Sequence, residues 1–317
     1  MFVNPDLDND LCERPQYGFI ISLTKTMVGK VALVTGSTSG VGVNVATELA
    51  ARGARVIITG RNAAKLEETR NRIVNVTGNG NVVGKQVDFE SLSSIRSFVH
   101  EMYIQEPKLN ILINNVGAIG LEDRRTEDNL HVMMQINYLG NFLLSFLLFP
   151  LLKASAPSRI ISVSSISLLL GHIDFEHMND VGRFSSFGHY ANSKLADVLF
   201  TVEMNKRIGG SDVSVFSLDP GLIKTDFLRN YKETPFRRFM SWGLFLVGQP
   251  TNRVATAYVW LASDPKVVNS SGKHFLYCKE FYSSWFAEDA QLTRRLWEES
   301  KRLVKIKDEE DWERNSL

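Results

Sequence analysis

Val31-Ala32-Leu33-Val34-Thr35-Gly36-Ser37-Thr38-Ser39-Gly40-Val41-Gly42 is a short apolar run, then a turn with three glycines, then the first residues of a segment with Val41, Val45 and Leu49 at helical spacing. A strand that is apolar without alternation is covered on both faces, as in a parallel sheet. Glycines between such a strand and a helix leave backbone N–H groups at the helix N-terminus with no side chain in front of them, which is what a pyrophosphate needs. Gly42 lets the helix pack close to the strand. Gly36, Ser37, Ser39, Gly40, Val41 and Gly42 are therefore the candidate contacts of a dinucleotide. The spacing is G-x-x-x-G-x-G, not the G-x-G-x-x-G fingerprint.

The same alternation continues through the chain. Short β-branched runs at 55–59, 82–87, 109–113, 159–163 and 213–218 read as further buried strands, and 272–278 as a last one. Leu92, Ile95, Val99 and Met102 mark one of the helices between them. Strand–helix alternation of this kind gives the α/β class, a single Rossmann-type doubly wound parallel sheet flanked by helices on both faces. One domain is the reading, and the family resemblance given below implies that it is a dinucleotide-binding domain over residues 28–280, with a substrate insertion at 166–188 and a flap at 226–248. Residues 1–27 are an N-terminal extension, and 281–317 a C-terminal helix and tail whose mixed charge from 301 to 314 reads as solvated.

Composition narrows the function classes. The chain has 317 residues, 44% of them apolar and 22% charged, and a net charge of +1. That balance gives no electrostatic reason to expect nucleic acid. Cys12 and Cys278 make no disulfide framework and suit a reducing compartment. Asn75-Val76-Thr77 and Asn269-Ser270-Ser271 match the glycosylation triplet only by chance if nothing directs secretion. The N-terminus begins with acids, so no signal peptide is expected, and Phe19-Ile20-Ile21 is far too short to span a membrane. The apolar stretch 142–152, interrupted by Pro150, reads as a buried helix against the sheet or a partner subunit. Arg237, Arg238, Trp242, Leu244, Phe245 and Leu246 suggest a flap over a pocket, with contact to a membrane surface as the alternative. The expected location is cytoplasmic, membrane association being left open.

Tyr190-Ala191-Asn192-Ser193-Lys194 carries the chemistry. Positions i and i+4 share a helix face, so an ammonium at 194 stands beside the phenol at 190 and favours its ionised form. A phenol usable at cellular pH is the acid/base that carbonyl/alcohol interconversion needs. The second strand ends at Arg61, where an arginine accommodates the 2′-phosphate of NADP and an acid would bond the ribose of NAD, so NADP(H) is favoured over NAD(H). Asp88 ends the third strand, beside the adenine, and Asn114-Asn115-Val116-Gly117 ends the fourth at the ligand crevice.

In this order, Thr35-Gly36-x-x-x-Gly40-x-Gly42, Asp88, Asn114-Asn115-x-Gly117, Asn137, Ser165, Tyr190-x-x-x-Lys194 and Pro220-Gly221 make the chain resemble the short-chain dehydrogenase/reductase family over about residues 28–280. The resemblance implies Tyr190 as catalytic acid/base and Lys194 as the group that lowers its pKa and holds the nicotinamide ribose. Ser165 would orient the substrate oxygen, and Asn137 would hold a water in a proton relay to Lys194. Pro220, Gly221, Ile223 and Thr225 would hold the nicotinamide end, with Asn115 and Gly117 at the crevice. The chain departs from the family in Val116, where a smaller residue is usual, in Ser39, where some NADP-dependent members are basic, and in Asp219 before Pro220-Gly221. Ser165 and Tyr190 are 25 positions apart, longer than in many members, and with Ser193-Lys194-Leu195-Ala196 this resembles the retinol dehydrogenase-like branch. The implied substrate is a small lipophilic alcohol or aldehyde, with Leu168, Leu169, Leu170, Phe236, Trp242 and Phe245 either walling its pocket or packing on the sheet. Relatives often pair through helices that here contain 142–152 and 194–206, so a homodimer is allowed.

Three other readings fit the residues less well. His172, Asp174, Glu176 and His177 fit no standard zinc spacing, so no metal is expected, and His189 points about 100° away from Tyr190 on a helix. A cofactor-binding scaffold that catalyses nothing would be free to lose Asn137, Ser165, Tyr190 or Lys194, and all four are present. Epimerase-type relatives share Tyr-x-x-x-Lys but space their glycines differently.

Overall fold

The computed structural model describes residues 27–223, 249–281 and 289–314. Its centre is an eight-stranded sheet in the order β3-β2-β1-β4-β5-β6-β7-β8. The strands are β1 (Val31–Val34), β2 (Arg55–Gly60), β3 (Val82–Gln86), β4 (Ile111–Asn114), β5 (Ser158–Val163), β6 (Val213–Asp219), β7 (His274–Leu276) and β8 (Lys279–Glu280). All neighbours are parallel except β7 and β8. The expected doubly wound sheet is therefore present, with β8 as an addition at its edge.

Helices cover both faces: α1 (Gly40–Ala51), α2 (Ala63–Thr77), α3 (Leu92–Gln105), α4 (Val132–Ala154), α5 (Ser186–Arg207), α6 (Thr251–Ser263) and α7 (Ala290–Leu303). The strand period of two sorts β1 between them. Val31 and Leu33 join the core under α3, α4 and α5, whereas Ala32 and Val34 join the core under α1, α2 and α6. Both sides of each central strand are thus buried, which is why these strands are apolar without alternation. Order along the sheet reverses between β1 and β4, and ligand crevices form at such a reversal, beyond the strand C-termini.

α4 is long and apolar enough to cross a membrane, but 94% of its apolar window is buried inside the protein. It is a core helix between the sheet and the C-terminal segment. That segment is the main departure from expectation. Trp297 of α7 is 1% exposed. It lies edge-on to Phe142 at 5.1 Å and stacked on Phe200 at 5.9 Å, with the Arg207 guanidinium 4.9 Å from its ring. Tyr138 and Ser300 share a buried hydrogen bond of 2.7 Å. Further on, Trp312 packs on Phe149 at 4.4 Å and donates its indole N–H to the Phe146 carbonyl. The run from 301 to 314 is therefore docked, not solvated. Its charges are paired locally, Arg96 with Glu310 and Lys301 with Asp311 and Glu313, so a charged sequence coats an apolar contact. The same contact covers the α4–α5 face through which relatives were expected to pair.

The tail also carries an acid dependence. Burial alone would raise the Glu313 carboxyl, but hydrogen bonds from Lys301, Arg207 and Trp297 outweigh it and hold the group below its ordinary 4.5. Glu310 is likewise lowered: burial opposes, and the Arg96 bond prevails. A depressed carboxylate contributes stability that is present above its unfolded pKa and lost as pH falls through the folded one. Acidification below about 4.5 is therefore expected to undock α7 and the tail before β1–β6 melt. Hydrogen exchange that rises in 290–314 together with the rest of the chain would count against this.

Cys278, after β7, is disulfide-bonded, which the reading of two cysteines without a disulfide framework does not anticipate. Thr225, the flap 226–248 with Phe236, Trp242 and Phe245, and all of the N-terminal extension except Met27 lie outside the described residues.

Candidate active site

The first wall of the crevice is the glycine turn. Gly36 and Gly40 have φ of +61° and +62°, a region that side chains rarely adopt. A Cβ at Gly42 would stand 2.6 Å from the Asn115 amide and 2.7 Å from the Gly36 carbonyl, so no other residue fits there. Space in front of Gly40 is open. Ser39 caps α1 without a side-chain hydrogen bond, and the first turn of α1 holds no acid, so its N–H groups face that space. These features fit a pyrophosphate. Ser37, in contrast, is spent internally: its hydroxyl donates to Val34 O at 2.7 Å and accepts from Thr59 N at 2.9 Å. Asn115 is also a brace, donating to the carbonyls of Thr35 and Gly36. Val116 is accommodated, half-buried against the core.

The residues expected at the adenosine lie beyond β2 and β3. Arg61, with a side chain 64% exposed, donates to Glu90 at 2.8 Å, and Arg124 holds the other oxygen of the same carboxylate. Sequence reasoning named neither Glu90 nor Arg124. Asp88 accepts from the Glu90 N–H at 3.0 Å and so fixes the turn that presents Glu90.

The reactive end is built on α5, which Ser185 caps by accepting from Gly188 N. Tyr190 and Lys194 share its buried face, the Lys194 ammonium 5.8 Å from the Tyr190 ring centre. That ammonium donates to Val163 O at 2.7 Å and to Asp197 Oδ2 at 3.0 Å. Tyr190 is 7% exposed, packed with Ile119 and Met133. A Cβ on Gly117 would be 3.6 Å from Lys194 Nζ and 3.7 Å from Asn137 Oδ1, which places the β4 turn directly over both. Asn137 sits in a π-helical turn, Gln135–Leu139, of the kind that breaks the α-helical ladder at functional positions. Its oxygen accepts from Ala118 N, and its amide donates to Ala118 O and Ser193 Oγ. Only one lone pair of that side chain is then left for a relay water.

Ser165 begins the 3-10 turn Ile166–Leu170, its hydroxyl accepting from Ser167 N at 3.3 Å, while Ser164 donates to Lys194 O and ties the serine pair to α5. Leu168 is buried in the core, whereas Leu169 and Leu170 are exposed, so the three leucines divide between the two expected roles. Pro220 is buried, and Gly221, at φ +71°, lies under the Tyr277 phenol, where a Cβ would collide at 2.3 Å. Ile223 bridges to Gln249. Of the described sequence-predicted residues, the β4 turn at Gly117 meets Lys194 and Asn137, and the serine pair is tied to α5 beside them through Ser164.

His189 does point away from the tyrosine, into a second cluster. It stacks on His131 at 3.5 Å with rings 9° apart, and Asp123 lies close by. Burial first, then the neighbouring His131, pushes His189 down to about 4, so it is neutral. His131 accepts from Met133 N at Nδ1, which leaves Nε2–H to donate to Asp123 at 3.1 Å. Parallel rings cannot aim their in-plane lone pairs at one ion, and His131 has neither nitrogen to spare, so the cluster is not built as a metal centre. His172 and His177 do not join it, His177 bonding Asp174 instead.

Residues 30–235 match the family described as short chain dehydrogenase. Retinol dehydrogenase 13 of Mus musculus is 40% identical over 283 residues, 88% of this chain and 85% of that one. Retinol dehydrogenase 14 of Homo sapiens is 37% identical over 295 residues, 88% and 87% of the two chains. Among solved structures, an uncharacterized protein from Mycobacterium Paratuberculosis aligns with a TM-score of 0.72 at 27% identity, covering 91% of this chain and 98% of that one.

Proposed function

Because the chain belongs to the short-chain dehydrogenase/reductase family, in its retinol dehydrogenase-like branch, it is an oxidoreductase of carbonyls and alcohols, and we propose that it uses NADP(H) on a lipophilic substrate with Tyr190 as acid/base. The observation that carries this reading is the buried pairing of Tyr190 and Lys194 on one face of α5, at the crevice where the sheet order reverses.

The N-terminus of α1 with Gly36, Gly40 and Gly42 would hold the pyrophosphate, Arg61 the 2′-phosphate, and Lys194 with Gly221 the nicotinamide end. Ser37 and Asn115 support that cradle from behind, and Asp88 supports it at the adenosine end. When bound, the nicotinamide supplies or accepts the hydride. Tyr190 gives its proton to the substrate oxygen in reduction and takes it in oxidation. Ser165 steadies the charge that develops on that oxygen by hydrogen bonding. Asn137 clamps the turn at Ala118 to α5 through Ser193 and so fixes the distance between the two walls. For the substrate, Ile166, Leu169, Leu170, Phe187 and Leu222 are exposed apolar side chains that flank Ser165, Tyr190 and Gly221 in sequence, an unusual concentration that favours an apolar ligand. Membrane contact by the same surface is a weaker reading that nothing else in the described residues favours.

The test is turnover of retinoids, steroids, fatty aldehydes and small aldehydes with NADPH and with NADH. Lipophilic aldehydes with NADPH should be fastest. Arg61→Asp should weaken NADPH by about tenfold or more, the worth of one charge-assisted bond, while NADH is held as before. Equal affinities for the two cofactors in both proteins would remove Arg61 from the 2′-phosphate site.

A further inference from the structure

Asp197 is a buried acid bonded to Lys194 that neither the expected tetrad nor the cofactor cradle uses. It lies three residues after Lys194, on the same face of α5, and the two side chains are 3% and 4% exposed. A carboxylate this deep is costly to ionise, and pairing with an ammonium rarely repays the loss of water in full. The structure bears this out, since burial pushes Asp197 up to about 6 against the pull of Lys194. A leucine or asparagine would fill the same space at less cost. The carboxylate therefore calls for a reason other than packing.

The reason lies in what it does to the lysine. Lys194 Nζ is held by Asp197 Oδ2 at 3.0 Å and by Val163 O at 2.7 Å, two fixed points on α5 and at the end of β5. We propose that Asp197 is a positioning residue for Lys194, anchoring its ammonium and offsetting its charge so that Tyr190 keeps its proton to higher pH. The proposal rests on the reading of Tyr190 as acid/base.

The other groups around the pair point the same way. Asp219, at the end of β6, is raised by burial although Gly221 N and Ile166 N donate to it, and it also feels Lys194. Its Oδ2 is buried without a hydrogen bond. Tyr138, before the sheet-covering part of α4, and Tyr258, on α6, are fully buried phenols held above their ordinary range, so both are neutral. Tyr277, after β7, is raised by burial and by Asp219. Among the described residues, Asp197 and Asp219 both act on the ammonium beside Tyr190. The sequence expectation, a lysine that pulls the phenol toward neutrality, thus describes only half of the local charge. A tyrosine that stays protonated near neutral pH is a proton donor there, which extends carbonyl reduction to higher pH and leaves alcohol oxidation to alkaline conditions.

The test is the pH profile of kcat/KM for aldehyde reduction by the full chain. Removing one opposite charge from a lysine that faces a phenol should move the alkaline limb of Asp197→Asn downward by about one pH unit, the lower end of what a single nearby charge does. Asp197→Glu, which keeps the charge, should hold the limb where it is even where kcat falls. If the asparagine variant does not fold, Asp197→Ser makes the same charge change with a smaller side chain. A limb that stays put in the neutral variants, or that Asp197→Glu moves as far as Asp197→Asn does, would overturn the proposal and leave Asp197 a packing residue. A Tyr190→Phe enzyme that still turns over would instead overturn the acid/base reading, whatever Asp197 does.

Discussion

Tyr190→Phe is expected to lose at least about a thousandfold in kcat for a lipophilic aldehyde, within the range that a positioned acid/base contributes. Binding of NADPH should change little, because the phenyl ring keeps the packing against Ile119 and Met133 and no part of the glycine cradle is touched. The thermal midpoint should also hold, since the variant removes a hydroxyl and creates no cavity. This combination is diagnostic. Loss of turnover with intact cofactor titration and an intact fold assigns the proton step to the phenol. Retention of even a tenth of the wild-type rate would mean that another group, or water, carries the proton.

Trp297→Ala is the largest expected effect on stability, about 3–5 kcal/mol for an aromatic residue deleted from a packed core. Trp297 touches Phe142, Phe146 and Phe200 and carries the Arg207 guanidinium, so truncation opens a hole between α4, α5 and α7 that none of those rings can fill by a simple rotation. At about 2–4 °C per kcal/mol for a large domain, the midpoint should fall by roughly 10 °C. The uncovered α4 face should then make the variant associate as its concentration rises, visible as a shift in sedimentation. A midpoint within a degree or two of wild type would show that α7 is only an appendage.

Why some of this could be read from the residues and some could not has a physical basis. The strands β1, β2, β4, β5 and β6 are covered on both faces, so their apolar runs betray them within a residue or two. The glycine turn is legible because positive φ at Gly36 and Gly40 and the close approach at Gly42 leave no other residue type. Tyr190, Lys194, Asn137 and Ser165 come from four separated segments, and their meeting depends on the topology that the alternation implies. Failures came where a partner decides the outcome. Leu292, Leu296 and Leu303 repeat at helical spacing in α7, yet the charges around Trp297 and Trp312 suggested solvent, because nothing local shows that Phe142 and Phe146 await them. Asp197 has no local signature of burial, because its pairing with Lys194 inside the protein depends on what packs over α5. The π turn at Asn137 has no sequence signature, since an inserted residue in a helix changes hydrogen bonding and not composition. Glu90 and Arg124 were missed because a shared carboxylate is a relation between two turns.

The docking of α7 has a further consequence, for the order of events at the ribosome. Chains emerge N-terminus first and fold in that order. The sheet and α1 to α6 are complete by residue 281, but the aromatic face of α4 and α5 stays uncovered until 290–314 have been released. A nascent chain that has reached residue 281 therefore carries a complete sheet with one sticky side, and a chain that stopped before residue 290 would stay in that state for good. Chaperone dependence should be concentrated between completion of the sheet and release of residues 290–314.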